Sequence, residues 1–294
     1  MSTFVLLSAS GLGLAGLYFL LASGLSLIFG LMSVLNLAHG VFFAAGGFGA
    51  WFTMDRLDAV PVGLRFVIAV VVAGLVGAVA GALVERGLVR RLYGQHLEQI
   101  LLTIGLGMAG VALLGGWFDY DARLLEQPKW FGDTTTILGA NVPNSRLLIL
   151  AVAIVMFVGL LLFLNRTRHG LIIRAGVENA AMVRALGIDV ARSFTIVFAL
   201  GGLLAGVGGA LGAVYYNGVH PNLGTTQLIF AFIVVVIGGL GSIPGTAVAA
   251  ALVALTQVYV NNYISTGLGS ISVVALLAIV LLVRPQGLLG RSTA

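Results

Sequence analysis

Few side chains in this sequence could carry chemistry, and their spacing argues against most of it. Ser33 and His39 could be nucleophile and base of an intramembrane enzyme, yet no third orienting group or metal set accompanies them. His39, His96, His169 and His220 show no metal-ligand spacing. With no cysteine there is no disulfide framework and no thiolate site, so redox and metal chemistry are not expected. Asn36, His39 and Gly40 interrupt an apolar region with side chains that are costly to bury unpaired. Either they line a route for a solute, or Asn36 caps a helix beginning at Leu37 and His39 lies at its polar end.

The elements that position these residues must be membrane helices. The chain is 60% hydrophobic and 9% charged, with 42 glycines in 294 residues, a mix suited to a multi-spanning membrane protein. No polar block is large enough to fold separately, so residues 1–294 are expected to form one transmembrane domain. Apolar segments run over Phe4–Gly30, Leu37–Met54, Leu64–Val84, Ile100–Trp117, Leu147–Leu164, Phe194–Tyr216, Leu228–Leu240, Ala247–Val260 and Ile271–Val283. Several approach the roughly 20 residues that span a hydrocarbon core. The seventh and eighth are short and meet at Gly238, Gly239, Gly241, Pro244 and Gly245, which suggests broken or re-entrant helices as much as two plain crossings. The expectation is an all-α polytopic protein of eight or nine transmembrane helices, some discontinuous.

Charge sets the orientation. With nine crossings, Arg86, Arg90, Arg91, Arg166, Arg168, Arg174, Arg184, Arg192, Arg284 and Arg291 share one side, and Arg56, Arg65, Arg123, Lys129 and Arg146 the other. The positive-inside rule places the first group in the cytoplasm, the N-terminus outside and the C-terminus inside. The net charge of +5 is therefore topological and does not imply nucleic-acid binding. No Lys or Arg precedes Arg56, so the first segment lacks the n-region of a cleaved signal and is expected to remain as a helix.

Small residues predict close helix packing. Gly201, Ala205, Gly209 and Ala213 recur every fourth residue, as do Gly202, Gly206 and Ala210, with a matching pair at Gly77 and Gly81. Internal packing is the expected use, ahead of a subunit interface or a solute path. Asp and Glu lie at segment borders and in loops, so the chain has little with which to couple to an ion gradient. An energy source, if used, lies outside the bilayer.

The long basic interruption from Arg166 to Arg192 points to where that source acts. Ala180, Ala181, Val183, Ala185 and Leu186 favour a short helix near the membrane surface, with Asn179 able to cap its start and Gly187 able to end it. It is either an interfacial amphipathic helix anchored by arginines or a docking helix for a soluble partner. Near the outer end of the sixth segment, Asn217, His220 and Pro221 form a candidate mouth, with Gln227 a candidate for the path and Thr256, Gln257, Asn261 and Asn262 as weaker ones.

Four motifs in order carry a family resemblance. Ser33-Val34-Leu35-Asn36-Leu37-Ala38-His39-Gly40 comes first. Arg166-Thr167-Arg168-His169-Gly170 with Ile173-Arg174-Ala175 and Glu178-Asn179 follows, then Arg184-Ala185-Leu186-Gly187-Ile188-Asp189-Val190. Gly238-Gly239-Leu240-Gly241-Ser242-Ile243-Pro244-Gly245 closes the series. Together they resemble bacterial branched-chain amino acid ABC transporter permeases of the LivH type, the first subunit of the permease pair, to which urea-type permeases are close relatives.

The resemblance implies an inner-membrane importer of five parts: a periplasmic solute-binding protein, two permease subunits and two cytoplasmic ATPases that use ATP and Mg, with no cofactor on this chain. It implies that the 166–192 loop holds the coupling helix. Arg174 and Arg184 would then be anchors or docking charges, Glu178 and Asn179 polar contacts, and Ala181, Leu186 and Ile188 the apolar knob ended near Gly187. The loop departs from the general Glu-Ala-Ala pattern of such importers, because Asn179 follows Glu178 and Gly187 is off its spacing. The cargo stays open among branched-chain amino acids, urea, short amides and carboxylates. An ion-independent channel or secondary carrier for a small neutral solute shares the topology but leaves the loop without a purpose.

Overall fold

The computed structural model describes residues 2–32, 35–185, 187 and 190–290. Each of the nine apolar segments falls on a helix, with ends shifted by a few residues. These are α1 (Ser2–Met32), α2 (His39–Arg56), α3 (Val62–Gly87) and α4 (His96–Phe118). A single turn, α5 (Lys129–Gly132), and a hairpin of β1 (Thr134–Ile137) and β2 (Ala140–Pro143) follow. Next come α6 (Asn144–Arg166), α7 (Arg168–Ala185), α8 (Val190–Tyr215), α9 (Leu223–Gly238), α10 (Ile243–Tyr263) and α11 (Leu268–Val283). The protein is an all-α polytopic membrane protein. Six helices, α1, α3, α4, α6, α8 and α10, are long and apolar enough to cross a bilayer, and α9 and α11 are shorter and apolar.

Glycine dictates who packs against whom. Gly202 lies against Gly77 and Gly206 against Ala73 and Gly74, so one small-residue stripe of α8 seats α3. The neighbouring stripe receives α1 at Gly24, which faces Gly201, and α2 at Gly47, which faces Gly209. Ala205, Ala210 and Ala213 are fully buried between them. The stripes therefore serve internal packing: with no hydrophobic effect between helices in lipid, backbone proximity and dispersion supply the adhesion.

The packing repeats in inverted form. α1 and α8 run antiparallel, Gly24 meeting Gly201 while Leu20 meets Gly208. α3 packs on α8 as α10 packs on α1, and α2 crosses α8 as α9 crosses α1. In both halves the second helix begins after a non-helical stretch, residues 35–38 before α2 and 216–222 before α9, and Gly40 and Gly224 in the first turns of those two helices touch. Such discontinuities at a repeat interface need their freed backbone groups satisfied inside protein.

The glycines and Pro244 left a broken or re-entrant helix open beside two plain crossings, and the structure places a turn between two helices there. α9 and α10 are two separate helices joined by a tight turn, with Gly239 and Gly241 at positive φ. Ser242 caps α10 by accepting from the Gly245 amide at 3.2 Å, and Pro244 sits in its first turn, where a missing N–H costs nothing. The helix expected from Leu37 starts instead at His39.

Outward faces are apolar. Leu64, Val67, Val71, Leu75, Val79 and Leu83 form one exposed ridge along α3, while Leu97, Leu101, Met108, Leu113 and Trp117 line α4. Contiguous apolar surface on this scale belongs against hydrocarbon or another membrane chain. Between α4 and α6 the connection is pinned by Arg65, which donates to the Met54 carbonyl and Asp58, each at 2.8 Å, and pairs with Glu126 at 3.0 Å. The hairpin turns through Leu138 and Gly139, both at positive φ, as a two-residue turn of this hand requires. Strands this short leave little periodic signal in sequence.

Candidate functional site

Three places collect the residues singled out above. The first is α7, at the end of the bundle where α6 finishes and α8 begins. Thr167 makes the corner: its hydroxyl donates to the Phe163 carbonyl at 2.7 Å and accepts from the Gly170 amide at 2.9 Å, closing α6 and capping α7 together. Gly170 is needed here because a Cβ would strike the Phe163 carbonyl and the Leu164 backbone. Ile173 and Val183 are buried and turn one face of α7 toward the bundle, while Leu171, Arg174 and Met182 are exposed.

α7 is longer than the sequence suggested. It starts at Arg168, so Asn179 is an interior residue and not its cap, because Thr167 supplies the capping oxygen earlier. Glu178, Asn179, Ala181 and Arg184 all lie in the second half of the helix. Gly187 follows it with φ +76°, the left-handed conformation that ends helices at least cost. Leu186 and Ile188 lie outside the described residues.

Between the end of α3 and the start of α8 lies a charged cluster that the sequence did not single out. Glu85, fully buried near the end of α3, takes Arg90 on both oxygens at 3.1 and 3.2 Å, the Thr195 hydroxyl at 2.7 Å and the Tyr93 hydroxyl. Arg90 also reaches the Ala191 carbonyl at 3.3 Å. The end of α3 is thereby tied to the first turn of α8, directly after α7. Burial and the Glu85 contact push the Tyr93 hydroxyl well above its ordinary pKa, so it remains a donor.

The second place is the approach to α2. Asn36 and His39 are fully buried. The Asn36 side-chain oxygen accepts from the Ala38 amide at 3.2 Å, and the His39 amide bonds to the Asn36 carbonyl at 3.1 Å. Asn36 thus shapes the turn into α2 from three residues before the first residue of that helix. Among the described residues, its amide nitrogen and both ring nitrogens of His39 meet no hydrogen-bond partner within 3.5 Å. The His39 ring packs edge-on against Phe42, centroids 5.6 Å apart, in the space left by Gly24. Gly40 beside it lets α9 approach.

The third place is the turn from α8 to α9. Val219 pairs with Arg123 through two backbone hydrogen bonds of 2.8 and 2.9 Å, which fold the turn back between the helices. Asn217 is exposed at φ +56°, a conformation asparagine tolerates, His220 is partly exposed and Pro221 is buried. Gln227, one turn into α9, is buried and accepts from the Tyr216 hydroxyl at 2.9 Å. The turn and Gln227 are contiguous; Asn36, His39 and Gly40 reach them through the contact of Gly40 with Gly224, and α7 lies apart.

A family model described as "Branched-chain amino acid transport system / permease component" matches residues 7–283. The chain belongs to this permease family. The permease is 28% identical to the high-affinity branched-chain amino acid transport system permease protein LivH of Salmonella typhimurium, over 96% of this chain and 94% of that one. It is 29% identical to the corresponding protein BraD of Pseudomonas aeruginosa, again over 96% and 94%. The permease protein LivM of Salmonella typhimurium is 29% identical over 93% of this chain and 68% of its own length. The resemblance carried by the four motifs is thus to a family that matches nearly the whole permease.

Proposed function

We propose that the permease is a transmembrane subunit of an ATP-driven importer for branched-chain or hydrophobic amino acids, or a related small solute, in the bacterial inner membrane. It crosses the bilayer nine times, with α2 and α9 entered through non-helical stretches, the N-terminus outside and the C-terminus in the cytoplasm. The helix that carries Arg168, Arg174 and Arg184 then lies on the cytoplasmic side. A single permease domain of this kind carries no catalytic site of its own and leaves ATP and Mg to its ATPase partners.

The observation that supports this most is the position of α7. An 18-residue helix capped at its start by Thr167, with Ile173 and Val183 buried and Leu171, Arg174 and Met182 exposed, is suited to sit in a cleft of a soluble protein. When two ATPases close on ATP, the helix moves with them and the smoothly packed α1, α3, α8 and α10 rock between outward-open and inward-open arrangements. Asn36, His39, Gly40 and Gln227 flank the route, with Asn217, His220 and Pro221 at its periplasmic mouth. A periplasmic solute-binding protein delivers cargo there, and a second permease subunit completes the path, a pairing suggested by the likeness to both LivH and LivM.

The test is to tag the C-terminus, solubilise the membranes gently and identify what co-purifies. A second permease and two ATPases are expected. Recovery of the intact chain alone would return a channel or carrier to first place.

A further inference from the structure

The residues assigned to the outer side include five basic ones, and most are accounted for by neighbours. Arg65 is paired with Asp58 and Glu126, Arg123 with Asp119, and Arg56 lies over the Phe52 ring. Arg146, in the first turn of α6, is different. Among the described residues it makes no ion pair and no hydrogen bond, and its Nη1 is buried without a partner. Its guanidinium carbon rests 3.4 Å from the centre of the Tyr215 ring, so the head group is held over the ring face while its donors make no hydrogen bond among the described residues.

The surroundings offer donors and ring faces. Tyr215 lies against Tyr216, ring centroids 4.9 Å apart, and the Tyr216 hydroxyl occupies the carbonyl oxygen of Gln227. On α1, whose Gly13 leaves room beside the arginine stem, Tyr18 stacks on Phe230 at 5.5 Å and its hydroxyl takes the carbonyl oxygen of Gln257 at 2.6 Å. With those oxygens engaged, each glutamine offers chiefly its amide N–H pair. No carboxylate is paired with Arg146 to compete for an incoming anion. The cluster lies where α1, α6, α8, α9 and α10 converge, next to the 216–222 turn.

We propose that Arg146, stacked on Tyr215, binds the carboxylate of a small amphiphilic solute at the outer end of the route. The inference rests on the importer assignment above and narrows its cargo. A planar guanidinium grips a carboxylate through two parallel hydrogen bonds, a gain that urea or a short amide cannot match. The aromatic faces of Tyr215 and Phe230 suit an aliphatic side chain, and a solute bearing only an amine is repelled. The cargo class that fits is a hydrophobic amino acid or other small carboxylate, with urea and amides disfavoured.

Saturation-transfer NMR on the full chain in lipid nanodiscs tests this with four probes: valine, valinamide, isobutyrate and isobutylamine. Valine and isobutyrate are expected to bind, and valinamide and isobutylamine at least about tenfold more weakly, the loss that corresponds to one charge-assisted contact. Arg146→Gln, checked for unchanged monodispersity, should weaken the two carboxylates by about tenfold or more, and Arg146→Lys by less. Equal binding of valine and valinamide by the wild-type chain, no binding of any probe, or carboxylate binding that survives Arg146→Gln would overturn the proposal. The wild-type probe comparison stands even if the variant misfolds. Selective carboxylate binding combined with no ATP-driven uptake by the assembled complex would sink the importer assignment and leave the site intact.

Discussion

The backbone of Gly40 lies directly against that of Gly224: a Cβ on Gly40 would sit 2.7 Å from the Gly224 carbonyl oxygen and 2.8 Å from its carbon. Both residues are in the first turns of helices that follow non-helical stretches, so this contact fixes how the two halves of the bundle meet. Gly40→Ala should lower stability by roughly 1–3 kcal/mol, the cost of overpacking a filled site. Gly63→Ala is the control, because a Cβ there meets nothing within 4 Å. Thermal unfolding in detergent should show a lower midpoint for the first only; equal midpoints would mean that the helices do not approach so closely.

Glu85 should prove the most sensitive charge in the chain. Glu85→Ala leaves the Thr195 and Tyr93 hydroxyls and Arg90 without their shared acceptor. The expected loss is about 1–3 kcal/mol, below that of a fully buried pair because Arg90 is 38% exposed. Thermal unfolding reads the change directly, and a neutral result would remove the cluster from any account of stability.

Tyr93 adds a pH dependence of definite sign. Its hydroxyl is raised above the ordinary tyrosine value by burial first and by Glu85 next, so the folded state holds the proton more tightly than the unfolded one. Its stabilising share is complete below the unfolded value of about 10 and fades as pH climbs above that. Stability profiles of the wild type and Tyr93→Phe should therefore differ in slope at alkaline pH. Superimposable slopes would contradict the placement of the proton.

Ala181→Glu places a new charge in the second half of α7. Uptake by the assembled transporter should be abolished while membrane insertion, followed by protease protection, stays normal. Undiminished uptake would mean that α7 does not dock as proposed.

Asn36→Leu removes the oxygen that bonds to the Ala38 amide together with an unpartnered amide nitrogen. Slower uptake with the ATPases still co-purifying is the outcome expected of a residue on the route. Uptake at the wild-type rate would confine Asn36 to shaping the turn into α2.

Much of the fold was legible because hydrophobic length is a strong signal in membrane chains. All nine apolar segments fall on helices, and the fourfold glycine spacing of α8 announced close packing before any partner was known. The interruptions were harder to place. Gly239, Gly241 and Pro244 left a broken helix and two plain crossings equally open, and they make a turn between two helices with Ser242 as cap, whereas the non-helical stretch before α9 runs through His220 and Pro221. α7 was foreshortened for a similar reason: Asn179 is a good capping residue, but Thr167 had already closed the orphan amides.

The site divides along the same line. Residue types alone picked out Asn36, His39 and the 166–192 loop, because polar atoms in an apolar segment and charge at its edge are visible without coordinates. Glu85 with Arg90 and Tyr93, and Arg146 over Tyr215, could not be found that way. Thr195 meets Glu85 across 110 positions, and Tyr215 lies 69 residues after Arg146. The sequence by itself determined the solvent, the helices and the balance of charge, since these depend on local composition. Only the tertiary structure decided which small residues touch, which helix starts meet and that Arg146 stacks on Tyr215 without an ion pair among the described residues, since these depend on contacts between segments far apart in the chain.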